Sequence, residues 1–227
     1  MKKYEFTGET KQISTINGTV TLHRIKASVA FGNIKSGDIG GWIEKKENLS
    51  HDGNAWVFGN AWVFGNAQVY GNARVFGNAQ VYGDARVFDN VRVFDNARVF
   101  GNAWVYGNAW VFDNAWAYGD AQVYGNAWVF GNACAYGDVR VYGNAQVYSS
   151  NHVLLVGPIG SRNDYTTFFR NRNRGISVLC GCFLGEIDKF IEKVIETHGG
   201  NKHASVYRAA AELAKLQIDL SEMDEEK

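Results

Sequence analysis

The side chains best suited to chemistry lie in one short segment of the C-terminal third. Residues 157–164 read GPIGSRND, so a glycine-bounded turn brings a hydroxyl, a guanidinium and backbone N–H groups to one place. Groups of this kind bind phosphate or carboxylate. Arg170, Arg172 and Arg174 follow, and Asp164 is the only acidic residue between positions 157 and 174. The segment therefore predicts a site for a small anion.

The residues after this turn could complete the site, because they add hydroxyl groups and a ring that could stack on a base. The turn is not a Walker phosphate loop, which would need GxxxxGK(S/T). A tight turn followed by solvated arginines remains the alternative. The predicted ligand-binding residues are Gly160, Ser161, Arg162, Asn163, Thr166, Thr167, Phe168 and Arg170.

A second group of reactive side chains, Cys180, Cys182, His198 and His203, is only superficially like a zinc site. The Cys-x-Cys spacing is shorter than the usual one, and two glycines separate the histidines. Nothing fixes a histidine beside either sulfur, as nucleophilic catalysis would require. Buried thiols are favoured instead, and we expect no metal, no cofactor and no catalytic residue.

The elements that carry these side chains form a small C-terminal α+β domain, residues 149–227. Two or three strands come first, with a turn at residues 173–175. Ile187, Phe190, Ile191, Val194 and Ile195 then repeat with helical spacing. Gly199-Gly200 ends this helix, and Asn201 can cap a second one. The apolar residues of the second helix are Val206, Ala210, Leu213 and Leu216, and the last seven residues form an acidic tail.

Upstream of this domain, residues 53–148 are sixteen uninterrupted hexads reading V-(F/Y)-(G/D)-(N/D)-A-x. Side chains alternate along a strand, so Ala and Val share one face while the variable and aromatic residues share the other. Gly, Asn and Asp tolerate the backbone angles of a corner. A short strand and a corner in every hexad predict a triangular coil of eighteen residues, with Ala and Val inside.

This pattern resembles the hexapeptide-repeat left-handed β-helix superfamily, in which an aliphatic residue and a small residue two positions before it point inward. The resemblance implies an all-β solenoid, a left-handed parallel β-helix; periodicity alone indicates only a coil. The chain departs from the superfamily because the residue after the aliphatic position is always aromatic, from Phe58 to Tyr148.

Residues 1–52 lack the repeat. Two β-rich runs flank Asn17-Gly18, a strong hairpin signal, and the following residues drift into the repeat register. We expect an N-terminal β cap and a first coil that shield the open end of the helix.

Sixteen outward Phe or Tyr rings and six outward Trp rings are the main anomaly of the hexads. Monomers rarely expose so much apolar surface. One face of the coil carries Phe at almost every aromatic position, which predicts self-association, with a trimer favoured. The alternative is that the rings stack along their own column. The predicted interface residues are Phe58, Phe76, Phe94, Phe112, Phe130, Trp110 and Trp128.

The hexads lack the residues that other known functions of such coils require. Acyltransferases of the superfamily need a general-base histidine, and residues 53–148 contain none. The same residues contain no Thr for an ice-binding ladder, and their arginines offset their aspartates, which argues against a DNA mimic. Carbohydrate stacking on Trp remains a minor alternative. The chain has 23 basic and 23 acidic residues, so we expect neither duplex DNA nor a membrane as partner.

Location follows from cysteine usage and from the N-terminus. Three cysteines in a chain of this length favour a reducing cytoplasm. No apolar stretch follows Lys2 and Lys3, and none approaches the length of a membrane span. A bacterial cytoplasm is the expected location.

The C-terminal segment, GxIGSRN followed by CGCFxGxxxxF and His-Gly-x-Asn, resembles a domain that recurs in uncharacterised hexapeptide-repeat proteins of bacteriophages and prophages. The residues from FGNIKSGDIGGW onward are similar to the start of those proteins. The resemblance implies a phage-encoded protein without an established activity. The matching positions are Gly160, Ser161, Arg162, Thr167, Cys180, Cys182, Phe183 and His198.

Three hypotheses follow. The first is a non-catalytic, homo-oligomeric binding protein, in which the β-helix assembles subunits and the C-terminal domain captures an anion, such as a nucleotide signal of bacterial immunity. The second is a structural scaffold whose aromatic faces dock a host or virion protein. The third is an acyltransferase-like enzyme.

Overall fold

The structure is a computed structural model that describes residues 2–221. A β-solenoid occupies the middle of the chain, preceded by a long hairpin and followed by an antiparallel sheet with two helices. The fold class predicted from the hexads is confirmed as a β-solenoid with parallel sheets. The predicted acidic tail lies outside the described residues from position 222 onward. No helix within residues 2–221 is long and apolar enough to cross a membrane.

Each hexad contributes one two-residue strand, and every strand before the last coil pairs in parallel with the strand eighteen residues later. The first face contains β4 (Trp56–Val57), β7 (Arg74–Val75), β10 (Arg92–Val93), β13 (Trp110–Val111), β16 (Trp128–Val129) and β19 (Gln146–Val147). The second contains β5 (Trp62–Val63), β8 (Gln80–Val81), β11 (Arg98–Val99), β14 (Trp116–Ala117) and β17 (Cys134–Ala135). The third contains β6 (Gln68–Val69), β9 (Arg86–Val87), β12 (Trp104–Val105), β15 (Gln122–Val123) and β18 (Arg140–Val141).

The interior of the solenoid consists of the Ala and Val positions of the hexads, as predicted. No residue at these positions is more than 3% exposed. Backbone hydrogen bonds link the coils, for example from the Trp110 N–H to the Ala127 oxygen at 2.9 Å. Small side chains suit this interior because three walls meet around one narrow core, which leaves little volume for larger groups.

The corners of the coil are formed by residues with left-handed backbone angles, and hydrogen bonds between the side chains of successive coils stabilise them. Gly83 has a φ of +71°, and Asp89, Asp95 and Asp113 adopt the same left-handed region. The Asp113 carboxylate accepts a hydrogen bond from the Gly131 N–H of the next coil at 3.1 Å, which helps to offset its backbone strain. Asparagine amides bond from coil to coil at other corners, as from Asn72 to Asn90 at 3.0 Å.

The N-terminal region is a hairpin of β1 (Tyr4–Thr15) and β2 (Gly18–Ala27), which pairs antiparallel with β3 (Ile39–Ile43). Strand β3 runs parallel to β5, so the hairpin extends the second face of the solenoid. A short 3-10 helix, Lys46–Asn48, turns the chain into the first coil. Trp56 lies on the outer face of the coil, as predicted, in register with Arg74. It is only 1% exposed, because Tyr4 of the hairpin and Phe31 after it pack against its ring.

The C-terminal region begins with a 3-10 turn, Ser150–His152, and four antiparallel strands: β20 (Val153–Ile159), β21 (Asp164–Arg170), β22 (Ile176–Cys180) and β23 (Phe183–Glu186). Helices α1 (Ile187–His198) and α2 (Lys202–Gln217) follow, and the Asn201 side chain caps α2 by accepting from the Ala204 N–H. The sequence predicted two or three strands, whereas the structure has four.

The apolar face predicted for α2 is corrected by the structure. Leu213 and Leu216 are 46% and 86% exposed, and the buried residues are Ala204, Tyr207, Ala210, Ala211 and Ala214. Alanines let the helix lie close to its neighbours, and one tyrosine supplies most of the buried volume. Of the four predicted positions, only Ala210 is buried and Val206 is half-buried.

Candidate functional site

One pocket of about 510 Å³ opens between the sheet and the helices of the C-terminal region. Two turns, one between β20 and β21 and one between β22 and β23, form one side, and α1 and α2 form the other. The lining residues are Ser161, Arg162, Cys180, Cys182, Phe183, Phe190, Lys193, Val194, Thr197, His198 and Tyr207. A volume of this size is typical of small-molecule sites.

Glycines allow the two turns to approach their neighbours closely. Gly160 has a φ of +72°, and a Cβ at this position would collide with the Tyr207 ring. Gly181 has a φ of +57°, and a Cβ there would lie 2.9 Å from Nη1 of Arg162. The Arg162 guanidinium therefore lies across the second turn, and Tyr207 packs against the first. Any larger side chain at either glycine would displace a pocket residue.

The floor of the pocket is aromatic. The Phe190 ring is 5.4 Å from the Phe183 ring and 5.7 Å from the Tyr207 ring, measured between centroids. His198 stacks on the other side of Tyr207 at 5.7 Å, with an interplanar angle of 28°. A flat ligand ring could contact these faces, since offset and edge-on ring contacts are both favourable.

The Tyr207 hydroxyl is a hydrogen-bond donor throughout the neutral pH range. Burial raises the pKa of the Tyr207 phenol above its ordinary value of 10.0, and Cys180 raises it further, whereas hydrogen bonds with Ser161 lower it. The Thr166 hydroxyl donates to the Cys180 sulfur at 3.3 Å, which places this thiol in the same network. The floor thus presents neutral polar groups rather than a charged phenolate.

The charge of the pocket is positive. Arg162 and Lys193 lie at the rim, and none of the described lining residues is acidic. Lys193 contacts Glu196 at 2.9 Å, but both side chains are more than half exposed, so solvent and salt weaken this pair. No group within residues 2–221 accepts a hydrogen bond from Arg162. Its five donors are available to a ligand at the pocket mouth.

Only part of the sequence-predicted site lies at this pocket. Ser161 and Arg162 line it, Gly160 shapes it, and Asn163 occupies the exposed turn beside them at a φ of +50°. Thr166 lies beneath it, bonded to Cys180.

The other predicted residues point elsewhere. Phe168 is fully buried in the core below the helices and cannot stack on a ligand. The Thr167 hydroxyl accepts a hydrogen bond from the Arg140 N–H at 3.4 Å, which joins the sheet to the last coil. Arg170 is 3% exposed, lies over the Tyr148 ring at 4.9 Å and donates to the Ser221 oxygen. These three side chains support the fold around the junction.

Helix residues of the pocket were missed as ligand contacts by the sequence analysis: Lys193, Thr197, His198 and Tyr207. Lys193 and Thr197 are four residues apart and so share one face of α1, a signal that spacing could have given. No local signal marks Tyr207, because only the fold brings it to Gly160. Six of the eight positions that matched in the resemblance line this pocket: Ser161, Arg162, Cys180, Cys182, Phe183 and His198.

Metal ligands do not converge here. Within residues 2–221 no three His, Cys, Asp or Glu side chains lie together as a metal site would need. Cys180 is half-buried, Cys182 is exposed, and neither forms a disulfide.

The outer aromatic rings of the solenoid stack along their columns. The Phe94 ring lies 4.8 Å from both Phe76 and Phe112, with interplanar angles of 2° and 1°. Trp110 and Trp128 stack at 5.1 Å, and Arg92 and Arg172 cover the two ends of this pair. Most ring faces are thus covered within one chain, which supports the alternative that the columns stabilise the coil. The interface role of the predicted residues, from Phe58 to Phe130, stays a prediction.

Comparison with known families gives one similarity, which lies in the repeat. The chain is similar to the YdcK beta solenoid repeat family, whose model matches residues 67–83, 79–93, 91–107 and 121–135. All four segments lie in the solenoid, and they support a β-solenoid repeat protein. No curated protein matches the chain.

Proposed function

We propose that this protein is a non-catalytic binding protein whose C-terminal pocket holds a small organic anion. The observation that carries the proposal is the placement of Arg162 and Lys193 on the rim of a pocket whose described lining residues include no acid. A guanidinium with unused donors binds a phosphate or carboxylate through two parallel hydrogen bonds. The solenoid serves as the rigid support that carries this pocket.

The ligand should combine an anionic group with an apolar or flat body. The anion would lie at the rim beside Arg162, with Ser161 and Thr197 as further donors. The body would contact Phe183, Phe190 and the stacked pair of Tyr207 and His198. A nucleotide has both parts, and the pocket volume is large enough for one base and its phosphate.

The fuller hypothesis is that a phage-encoded protein sequesters a nucleotide signal of bacterial immunity in the cytoplasm of the host cell. Its support is the resemblance of residues 157–201 to a phage and prophage domain, together with the charge and aromatic floor of the pocket. Stacking of the solenoid rings gives less support to a scaffold that docks proteins, because most ring faces are already covered within the chain. The acyltransferase alternative still lacks a histidine in the hexads.

Isothermal titration calorimetry tests this proposal. The full chain would be titrated with cyclic mono- and dinucleotides, ADP-ribose, nucleoside monophosphates, benzoate and inorganic phosphate. We expect at least one organic anion to bind, and Arg162→Ala to weaken it by about tenfold or more, as loss of a charged hydrogen bond implies.

Arg74→Ala is the matched control, because it removes the same charge from the solenoid face. It should leave the affinity unchanged. No binding across the panel, or equal binding by Arg162→Ala and the unmodified chain, would overturn the proposal.

A further inference from the structure

Two free thiols line the pocket of the C-terminal region. Cys180 ends β22 and pairs with Phe183 of β23, so Gly181 and Cys182 form the two-residue loop of this hairpin. Cys180 is half-buried, Cys182 is exposed, and both residues line the same pocket. The sequence favoured buried thiols here, whereas the structure leaves one of them open to solvent.

The loop holds the two cysteines close enough for a disulfide bond. A chain advances at most about 3.6 Å per residue, so Cα atoms two positions apart lie within roughly 7 Å, and a turn shortens this distance. Disulfides join Cα atoms that are about 4.4–6.8 Å apart. Gly181, between the two cysteines, has a φ of +57°, which turns the chain sharply at this point. A bond between the two sulfurs therefore needs adjustment of the loop rather than of the strands.

The surroundings of the two sulfurs differ. The Thr166 hydroxyl donates to the Cys180 sulfur at 3.3 Å, and the Tyr207 side chain is hydrogen-bonded to the same sulfur. These contacts hold Cys180 at the floor of the pocket. Cys182 lies in the exposed loop, where an incoming reagent meets it first. Exchange between a thiol and a disulfide depends on such access and needs no histidine beside the sulfur.

The rim of the pocket supplies charge that selects an anionic reagent. Arg162 and Lys193 line the pocket, and none of its described lining residues is acidic. The Arg162 guanidinium lies against the loop, since a Cβ on Gly181 would be 2.9 Å from its Nη1. A carboxylate bound by Arg162 would therefore place the rest of a small molecule beside Cys182.

We propose that Cys182 and Cys180 form a redox-active pair that exchanges with small disulfides bearing carboxylates. This inference rests on the proposed function, because the same rim cations hold the anion, and it adds a covalent step. The Cys182 thiolate bonds to one sulfur of the reagent, whose S–S bond breaks and whose other half leaves as a thiol after taking a proton. The Cys180 thiolate then bonds to the Cys182 sulfur and releases the second half. Both protein thiols are oxidised to one disulfide, their protons pass to the leaving groups, and the reagent is reduced to two thiols.

Oxidised glutathione, a disulfide with several carboxylates, tests this step in the full chain carrying Cys134→Ser, which removes the third thiol. Mass spectrometry should show loss of the mass of two hydrogen atoms. Adding Cys180→Ser should instead trap one glutathione on Cys182. Adding Cys182→Ser should slow the reaction at least about tenfold, because the remaining thiol is half-buried. Unreacted thiols, or glutathione on both cysteines without an internal disulfide, would overturn the proposal.

The contribution of the rim is measured by comparing oxidised glutathione with hydroxyethyl disulfide, which carries no charge. Arg162→Gln should lower the ratio of the two reaction rates by about tenfold, as loss of a charged hydrogen bond implies. Arg74→Gln is the matched control, because it removes the same charge from the solenoid face, and it should leave the ratio unchanged. An equal ratio in the Arg162→Gln and unmodified chains would contradict selection of anionic disulfides.

Calorimetry separates this inference from the proposed function. The unmodified chain, kept reduced with a phosphine, is titrated with the organic anions of the panel. If an anion binds but oxidised glutathione leaves the thiols unreacted, the redox pair is wrong and the proposed function stands. If no anion binds and the internal disulfide forms at a rate independent of Arg162, both proposals are wrong.

Discussion

The solenoid and the C-terminal region use their surfaces in opposite ways. In the solenoid, most outward Phe and Tyr rings stack on the equivalent ring eighteen residues away, and asparagine amides at many corners bond to the next coil. In the C-terminal region, no equivalent residue exists to cover Arg162 or Leu216. In a repeat, the equivalent residues of neighbouring coils stack on and hydrogen-bond to one another. The non-repeating end lacks such equivalents and leaves groups available for ligands and partners. Substitutions in the two regions should therefore differ in what they change.

The largest effect is expected inside the solenoid. Val111→Asp places a carboxylate in a core position that is fully buried, and no described residue could pair with it there. The free energy of unfolding should fall by roughly 4 kcal/mol or more. Urea denaturation followed by circular dichroism measures the loss. Gln122→Asp adds the same charge on the outer face and should change stability by less than about 0.5 kcal/mol; equal losses would contradict the assignment of faces.

The junction between the two regions should be sensitive to acid. Burial lowers the pKa of His152 to about 4, and Arg170 adds to this effect while Asp219 opposes it. In the unfolded chain this imidazole takes up a proton near pH 6.5, whereas in the folded chain it does so only near pH 4. The free energy of unfolding is therefore unaffected by His152 above pH 6.5, and it falls by up to roughly 3 kcal/mol as the pH drops toward 4. Denaturation curves at several pH values measure the slope. His152→Gln should flatten it, whereas His203→Gln, at an exposed position, should not.

Two corner glycines distinguish the backbone strain of an added Cβ from its collision with the neighbouring coil. Gly83→Ala adds a Cβ at a φ of +71° and 2.9 Å from the Gly101 nitrogen, so strain and collision combine to about 2–3 kcal/mol. Gly59→Ala is at a φ of +54° with no atom within 4 Å of the added Cβ. It should cost only the strain, about 1–2 kcal/mol. Thermal denaturation compares the two, and equal costs would show that neighbouring coils can move apart.

The aromatic columns give the smallest effect and the sharpest test of self-association. Phe94→Ala removes stacking on Phe76 and Phe112, and should lower stability by about 1–2 kcal/mol. If the column only stabilises the coil, sedimentation will show the same mass as the unmodified chain. A smaller assembly would instead support the interface predicted from the sequence. Tyr136→Ala, at an exposed ring near the end of another column, is the control.

The solenoid was predictable because its structure depends on period rather than on particular contacts. Six residues with one inward Ala and one inward Val specify the strand, the corner and the core together. The burial of Trp56 was not predictable, because its cover comes from Tyr4 and Phe31, which lie outside the repeat. The sequence does not encode such contacts in any local pattern.

The candidate site was only partly predictable because β21 is buried on both faces. Phe169 packs with the solenoid core and Phe168 with the core below the helices. Alternation along this strand therefore does not distinguish solvent from interior, and its threonines and Arg170 were read as ligand contacts. The turn at Ser161 and Arg162 was identified from residue type alone. Its partners on α1 and α2 required the packing of distant segments.

The eighteen-residue register of the solenoid has a consequence for natural or designed length variants. Inserting one whole coil would move the C-terminal pocket about 4.8 Å along the axis and return it to the same orientation. Inserting a single hexad would instead turn it by one third of a revolution. The number of hexads therefore sets both the position of the pocket along the solenoid axis and the direction in which it faces. A series of variants could change the position by whole coils and the direction by single hexads.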